Sequence, residues 1–186
     1  MMRTQYLMIL RINEVLKIRW TQDIDIRESD QVFKIKLPDG SSVTKKLTIY
    51  GRIFCRASKN DDCRWRDCYD KKLIQELQDY CSKNVKVGEL VFPISTTMGE
   101  RIVLNAATEA KIQRSSTRIV KTKGLQSKYE VTSHSLRAAG VTHAIQNGAN
   151  PEAIRQYGGW KSRAAFERYV KQITTAENIS LLHLGD

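Results

Sequence analysis

Long hydrophobic runs are scarce in this chain of 186 residues. A membrane-spanning helix needs about 20 consecutive, mostly apolar residues. The apolar run from Tyr6 to Leu10 ends at Arg11, and the run from Leu90 to Ile94 is equally short. The N-terminal apolar patch is also too small for a secretory signal, and no small-residue cleavage site follows it. We therefore expect an intracellular protein without a membrane-spanning segment.

Cysteine is confined to one stretch of the chain, where it occurs as Cys55, Cys63, Cys68 and Cys81. These cysteines form no C-x-x-C pair and have no histidine close in sequence, so the spacing does not favour a zinc site. Thiols in an intracellular protein are reduced by default. Cys81 follows Leu77 and Leu73 at helical spacing, which favours a role in the core. The sequence therefore predicts no metal.

Acidic residues are too few to balance the basic ones: 20 Asp and Glu stand against 31 Lys and Arg, which gives a formal net charge of +11. So large an excess favours a polyanionic partner such as nucleic acid. The hydrophobic share of 41% and the charged share of 27% are those of a globular protein and exclude the disordered class. The length suits one domain over residues 1–186, in which residues 52–70, rich in both charges, are expected to be a surface insertion.

Acids are absent from one basic window, whose cations are Lys111, Arg114, Arg118, Lys121, Lys123 and Lys128. A solvated helix face usually carries charges of both signs. A window of one sign in a basic chain is better explained by contact with DNA phosphates, although a solvated surface is the simpler alternative. We therefore assign these six residues to DNA binding.

The hydrophobic periodicity predicts several helices and one β-hairpin. The hairpin joins residues 32–37 to residues 42–50 across Pro38-Asp39-Gly40, a turn signature. Gly148 is placed to end a helix, and Asn150-Pro151 to begin the next one. The predicted helices cover residues 5–20, 70–82, 108–122 in part, 134–147, 151–157 and 162–171.

Several polar residues occur in an order that resembles the catalytic domain of the tyrosine recombinases, the phage integrase family. They are Arg11 in Arg11-Ile12-Asn13-Glu14, Lys36 at the end of the first hairpin strand, His134-Ser135-Leu136-Arg137, Trp160 after two glycines, and Tyr169 nine residues later. The resemblance covers residues 5 to about 172 and is most specific from His134 to Tyr169. It implies an α+β fold, mostly helical, with a small antiparallel β-sheet.

The resemblance also implies an activity, the breaking and rejoining of double-stranded DNA through a 3′-phosphotyrosyl intermediate, with neither ATP nor metal. Tyr169 is then the nucleophile. Arg11 and Arg137 suit the phosphate, since guanidinium groups stay charged and bind oxygens in pairs. The indole N–H of Trp160 is a donor for a further phosphate oxygen.

The remaining roles concern protons. A phenol has an ordinary pKa near 10, so Tyr169 needs a base or nearby cations to attack phosphorus. His134 is the expected acid or base, and Lys36, with Lys34 as second choice, is expected to protonate the leaving 5′ oxygen. Glu14 is expected to orient the site without touching the phosphate, because a carboxylate there would be repelled.

Each residue has a plainer explanation when it is taken alone. Arg11 pairs with Glu14 on a helix surface, His134 caps a helix, and Trp160 and Tyr169 belong to the core. Two functional alternatives also follow: a DNA-binding module with a vestigial active site, and relaxation of DNA like that of type IB topoisomerases.

The chain departs from the family pattern in three places, one of which is the insertion over residues 52–70. Met8-Ile9-Leu10 stands where family members usually carry Thr-Gly or a similar pair before the first arginine. Only ten residues precede Arg11, so we expect no N-terminal core-binding domain of the kind that usually closes around DNA. The tail from Ile173 to Leu184 is expected to pack on its own domain or to dock on a neighbouring protomer, which would give dimers or tetramers on DNA.

The expected location is on DNA, in the cytoplasm and nucleoid of a prokaryote or in a eukaryotic nucleus.

Overall fold

The computed structural model describes residues 1–36, 41–56, 63–112, 115–120, 124–129, 131–167 and 169–170, with only the backbone described at positions 33, 35, 36, 115–120 and 124–129. They belong to two compact units. The first contains Met1 and the described residues of 13–93, and the second contains residues 2–12 and the described residues from Ile94 onwards.

In chain order, the elements are α1 (Met2–Leu7), α2 (Ile12–Val15), β1 (Ile24–Asp25), β2 (Ser29–Lys36), β3 (Ser42–Ile49), β4 (Gly51–Cys55), β5 (Arg64–Cys68), α3 (Lys71–Asn84), α4 (Thr96–Glu109), β6 (Ser115–Val120), β7 (Gly124–Tyr129), α5 (Ser133–Gln146) and α6 (Pro151–Gly158). Residues 163–167 and 169–170 are also helical. Helices together with small antiparallel sheets confirm the predicted α+β class.

The single helix predicted over residues 5–20 is wrong. The helix stops at Leu7, and a short α2 begins only at Ile12. The three consecutive residues Met8, Ile9 and Leu10 are all buried. In a continuous helix with one buried face, the side chains of three consecutive residues would point in different directions and would not all face the core. Ile9 has φ of 52°, an uncommon conformation for a β-branched residue, and this turn ends the helix.

The first unit contains the two strands of the predicted hairpin, which are confirmed, whereas the predicted turn at Pro38-Asp39-Gly40 lies outside the described residues. Strands β2 and β3 are antiparallel, and Lys36 pairs with Ser42 at the turn end. A second sheet has the strand order β1-β4-β5. Its buried positions include Ile53 and Cys55.

Helix α3, also as predicted, has a buried face of Leu73, Ile74, Leu77 and Cys81. It lies against β4, since a Cβ on Gly51 would be 2.8 Å from the Ile74 side chain. Both ends of the expected surface insertion, residues 52–55 and 64–68, are therefore strands of a sheet covered by a helix. The middle of that stretch, residues 57–62, lies outside the described residues.

In the second unit, the structure corrects the helix expected from Thr108. The helix α4 lies earlier and is capped by Ser95, whose Oγ accepts the Met98 N–H at 3.2 Å. The chain then enters the antiparallel hairpin β6–β7, in which Arg118 pairs with Gln126. Thr117, Ile119 and Val120 are β-branched, and such residues favour strands over helices.

Helices α5 and α6 confirm the prediction, as do Gly148 in the left-handed conformation after α5 and the Asn150 cap of α6. Helix α1 packs on α5 at Gly140, where a Cβ would lie 2.3 Å from the Tyr6 carbonyl oxygen. Around this contact lies a core of Ile9, Val141, Ile154, Trp160 and Phe166. Within the described residues, no helix is long and apolar enough to span a bilayer.

Candidate active site

Helix α5 carries two of the predicted site residues in its first turns. The helix begins after Thr132, whose backbone N–H donates to Ser135 Oγ at 3.0 Å. His134 and Arg137 are three residues apart and therefore lie on the same side of the helix. Arg137 is completely buried, with 0% of its surface exposed, and it is the largest such side chain in the described protein.

Arg137 connects α5 to the turn after α6. Its Nη2 donates to the Gly158 carbonyl oxygen at 2.7 Å. Its guanidinium carbon lies 4.0 Å from the centroid of the Trp160 ring, a cation–π contact. A planar guanidinium held by a carbonyl and an indole has little freedom to rotate. The arginine and the tryptophan therefore form one rigid group.

The two glycines before Trp160 have different functions. Gly159 has φ of 76° and ends α6, and its N–H donates to the carbonyl oxygens of Arg155 and Gln156. Gly158 gives space to the indole, because a Cβ there would lie 1.7 Å from a Trp160 ring atom. The sequence Gly158-Gly159-Trp160 thus turns the chain sharply and folds the indole back over the end of the helix.

Tyr169 completes the group. Its hydroxyl lies 3.0 Å from Nε2 of His134. Its ring meets the Trp160 ring at 5.3 Å between centroids and 66° between planes, an edge-on contact. A neutral imidazole with an unprotonated Nε2 can accept a hydrogen bond from the phenol at this distance.

The electrostatic environment keeps His134 neutral. Its pKa is lowered, first by partial burial and then by the positive charges of Arg137 and Arg11. Arg11 is half-buried and belongs to the same unit. The structure therefore brings His134, Arg137, Trp160 and Tyr169 into contact with one another, and the charge of Arg11 acts on His134.

Glu14, Lys36 and Lys34 belong to the first unit. Glu14 is buried, and its Oε2 lies 3.8 Å from Nη2 of Arg66, which is also buried. Lys36 is the last residue of β2, and Lys34 has an exposed side chain on the same strand. Both lysines remain predictions.

Two cations of the basic window lie on paired strands rather than on the expected helix. Lys111 is exposed and has φ of 57°, just after α4. Arg118 lies in β6 and Lys128 in β7, where Lys128 pairs with Ser116. Arg114, Lys121 and Lys123 lie outside the described residues, as does the tail from Ile173 to Leu184. The role of the window in DNA binding remains a prediction.

The four cysteines are free thiols. Burial raises the pKa of Cys55 and of Cys81 to about 11, so both are protonated and unreactive at neutral pH. Among the described residues, no group of three or more His, Cys, Asp or Glu side chains is placed to hold a metal.

Sequence reasoning missed two arginines that the structure connects to candidate residues. Arg66, inside the expected insertion, faces Glu14. Arg155 donates to the Trp160 carbonyl oxygen and to Glu152. The spacing of Glu152 and Arg155, three apart on a helix, predicts an ion pair, but nothing in the sequence indicates its contact beyond the glycine turn.

The sequence model of the phage integrase family matches residues 1–175, and the chain belongs to this family. Two solved structures share the fold. XerA recombinase is 16% identical with a TM-score of 0.58 over 94% of this chain and 54% of its own. The Tn1549 transposon integrase, in complex with transposon right end DNA, is 13% identical with a TM-score of 0.53 over 97% of this chain and 57% of its own. The chain thus spans just over half the length of either structure. No curated protein sequence matches it significantly.

Proposed function

We propose that this protein is a tyrosine recombinase that breaks and rejoins double-stranded DNA, with Tyr169 as the nucleophile. The observation that carries the proposal is the 3.0 Å contact between the Tyr169 hydroxyl and Nε2 of His134, next to Arg137 and Trp160. Membership of the phage integrase family supports it. The net charge of +11 supports DNA as the substrate.

The proposed cleavage step replaces one phosphate ester bond of the DNA by a phosphate ester bond to Tyr169. The Tyr169 oxygen attacks phosphorus while its proton moves to Nε2 of His134, whose lowered pKa keeps it ready to accept. The bond from phosphorus to the 5′ oxygen breaks, and Lys36, or Lys34, protonates the leaving oxygen. The products are a 3′-phosphotyrosyl link and a free 5′ hydroxyl, and the reverse step with another 5′ end is recombination.

The charge that develops on the phosphate is stabilised by fixed donors. Arg11 and Arg137 supply guanidinium groups, and Trp160 supplies its indole N–H. Glu14 acts from outside the phosphate contacts, by orienting the site. These steps need no ATP, because the phosphotyrosyl link retains the energy of the original bond, and they need no metal ion, because the two arginines and the indole supply the donors that stabilise the phosphate charge.

The burial of Arg137 favours a second candidate, a DNA-binding module with a vestigial active site. A side chain with 0% exposure must be uncovered before it can touch a phosphate. In an active enzyme DNA binding would uncover it, whereas in a binding module it would stay covered. The two candidates therefore differ in whether a covalent adduct forms.

The biological setting that we propose is integration or site-specific recombination of a viral or other mobile element. One similar structure is a transposon integrase with its DNA. The basic window from Lys111 to Lys128 is proposed to contact DNA phosphates, and self-association on DNA would bring together the two duplexes that exchange strands.

The proposal is tested by trapping the adduct. Duplexes are first selected for binding from a random-sequence pool, and nicks are then placed at successive positions so that the short 5′-hydroxyl fragment diffuses away after cleavage. We expect a covalent adduct on a denaturing gel with the wild type and none with Tyr169→Phe. Retained binding without any adduct would favour the binding module. Relaxation of supercoiled plasmid without strand exchange would instead indicate topoisomerase action.

The same experiment tests whether one chain supplies the whole group. Because His134, Arg137, Trp160 and Tyr169 meet within one unit of one chain, cleavage should occur in cis. A mixture of Tyr169→Phe and Arg137→Ala proteins should then form no adduct. An adduct from this mixture would show that the nucleophile is supplied by a second copy.

A further inference from the structure

We infer that Arg155, held by Glu152, is a positioning residue that fixes the Trp160 turn and through it Arg137 and Tyr169. This inference rests on the proposed function, since it concerns the same site. Neither residue belongs to the motif that identifies the family in this sequence. Both lie on α6, which precedes the glycine turn in the chain, whereas Tyr169 follows it.

Arg155 holds the backbone of Trp160 on both sides of the residue. Its Nη1 donates to the carbonyl oxygen of Trp160 at 2.5 Å, and the same nitrogen lies 3.4 Å from the carbonyl oxygen of Lys161. The N–H of Trp160 donates back to the carbonyl oxygen of Arg155 at 3.0 Å. The two peptide groups that flank Trp160 are thus attached to one residue of the preceding helix.

Glu152 holds the guanidinium in the orientation that makes this contact. Arg155 donates to it twice, from Nε to Oε2 at 2.8 Å and from Nη2 to Oε1 at 2.6 Å. Gln156 Nε2 donates to the same carboxylate at 3.1 Å. Hydrogen bonds from Arg155 and then Gln156 lower the pKa of Glu152 to about 2, so the carboxylate stays charged at neutral pH. A two-point pairing of this kind fixes the plane of the guanidinium.

An exposed ion pair by itself contributes little to stability. The Glu152 side chain is 52% exposed, so its ion pair with Arg155 should add little stability of its own. The pair matters because it orients Nη1, the Arg155 nitrogen that donates to the Trp160 carbonyl oxygen. The Trp160 ring in turn lies against Gly158, below Arg137 and beside Tyr169. Loosening the Trp160 backbone should therefore displace the arginine and the nucleophile together.

The chain offers a matched control in the next helix. Arg163 and Glu167 form an exposed ion pair, with 3.3 Å between Nε and Oε1 and 83% of the arginine side chain exposed. Arg163→Met removes the same charge and the same kind of ion pair as Arg155→Met. It leaves the hydrogen bonds to the Trp160 turn in place.

The first measurement separates the rate of cleavage from DNA affinity. In single-turnover reactions on a nicked duplex cleaved by the wild type, Arg155→Met should lower the cleavage rate by about 5- to 20-fold, because small misplacements of reacting groups slow reactions strongly. Affinity for the duplex should match that of Arg163→Met. Arg155→Lys should restore part of the rate, since one ammonium can reach one carbonyl. Equal rates for Arg155→Met and Arg163→Met would overturn the inference.

The second measurement needs no DNA. In a protein with Trp20→Phe and Trp65→Phe, Trp160 is the remaining tryptophan and is 8% exposed, so acrylamide should quench it weakly. Adding Arg155→Met should raise the quenching constant about twofold, as expected when a buried ring gains access to solvent, whereas Arg163→Met should leave it unchanged. Unchanged quenching in both would contradict the inference.

Two further comparisons keep the outcomes distinct. If circular dichroism shows that Arg155→Met fails to fold, Glu152→Gln is measured in its place. This variant loosens the guanidinium of Arg155 but keeps the arginine. The inference would then be overturned if its cleavage rate and quenching constant equalled those of Arg163→Met. If the wild type forms no Tyr169 adduct, the proposed function fails, and the quenching result alone decides whether Arg155 holds Trp160.

Discussion

Both units bury arginine side chains, but the side chains face different groups. In the first unit, the buried Arg66 faces the carboxylate of Glu14, whereas Arg56, whose side chain is 41% exposed, pairs with the buried carboxylate of Asp23. In the second unit, Arg137 contacts the Gly158 carbonyl and the Trp160 ring. The difference teaches that burial of an arginine serves two purposes here. One set of arginines joins parts of the fold, whereas Arg137 organises the residues that meet Tyr169.

Replacing Arg137 should have the largest effect on activity. Arg137→Ala removes a proposed phosphate donor together with the support of Trp160, so single-turnover cleavage should fall by at least about 100-fold. DNA affinity should change only modestly, because many other cations contribute to it. Cleavage at the wild-type rate would mean that Arg137, like Arg66, supports the fold and has no part in the reaction.

Replacing Arg66 should affect stability instead. Arg66→Met leaves the buried Glu14 carboxylate without its facing charge, which should lower the free energy of unfolding by about 3–5 kcal/mol. Urea denaturation measures this loss, and cleavage should decline only with the folded fraction. The double variant with Glu14→Leu should recover much of the stability. A single-variant loss below about 1 kcal/mol would mean that the pair does not hold the fold together.

Gly158 allows a smaller change that sharpens the role of Trp160. Gly158→Ala places a Cβ where the indole lies, so the ring must move and the free energy of unfolding should fall by about 1–3 kcal/mol. Gly148→Ala is the control, because Gly148 has φ of 81° and open space around its Cβ position. The control should lose about 1 kcal/mol of stability through backbone strain and keep its cleavage rate. Slower cleavage by the control would point to a general effect of glycine replacement.

The titration of His134 should show the smallest effect. Burial and the charges of Arg137 and Arg11 lower its pKa, so its NMR titration should have a midpoint below that of an ordinary histidine. Arg11→Gln should raise that midpoint. The folded protein binds a proton at His134 less tightly than the unfolded chain does. The free energy of unfolding should therefore be highest above the pKa of His134 in the unfolded chain, and it should decrease as the pH falls from that pKa to the lower pKa in the folded protein. An unchanged midpoint in Arg11→Gln would place the Arg11 charge too far away to act on His134.

The elements that carry the candidate residues from His134 to Tyr169 were predictable from sequence, because these residues are close together in the chain, whereas their catalytic roles stay predictions. From His134 to Tyr169, helix periodicity, the Asn150-Pro151 start and the glycine turn locate the residues one after another. Their mutual contacts were beyond sequence. The indole of Trp160 fills the space left by Gly158, and this depends on a turn of the chain that periodicity does not describe.

The errors in the fold have a common physical cause. Residues 5–20 have helical spacing, but Met8, Ile9 and Leu10 are buried together, and tertiary contacts override the local preference. The residues after Thr108 were expected to be helical, but the β-branched segment around Ile119 pairs with a strand that the sequence alone did not indicate. In both regions, contacts formed in the folded chain outweighed the local helical preference: burial in the first region, and pairing with the neighbouring strand in the second.

The contact between Gly158 and Trp160 also has an evolutionary consequence. A histidine at position 160 would occupy less space than the indole that lies against Gly158. A side chain at position 158 should therefore cost less stability beside histidine than beside tryptophan, so the effects of substitutions at the two positions should depend on each other. Once tryptophan is in place, each residue larger than glycine at position 158 should carry a stability cost that would oppose its return.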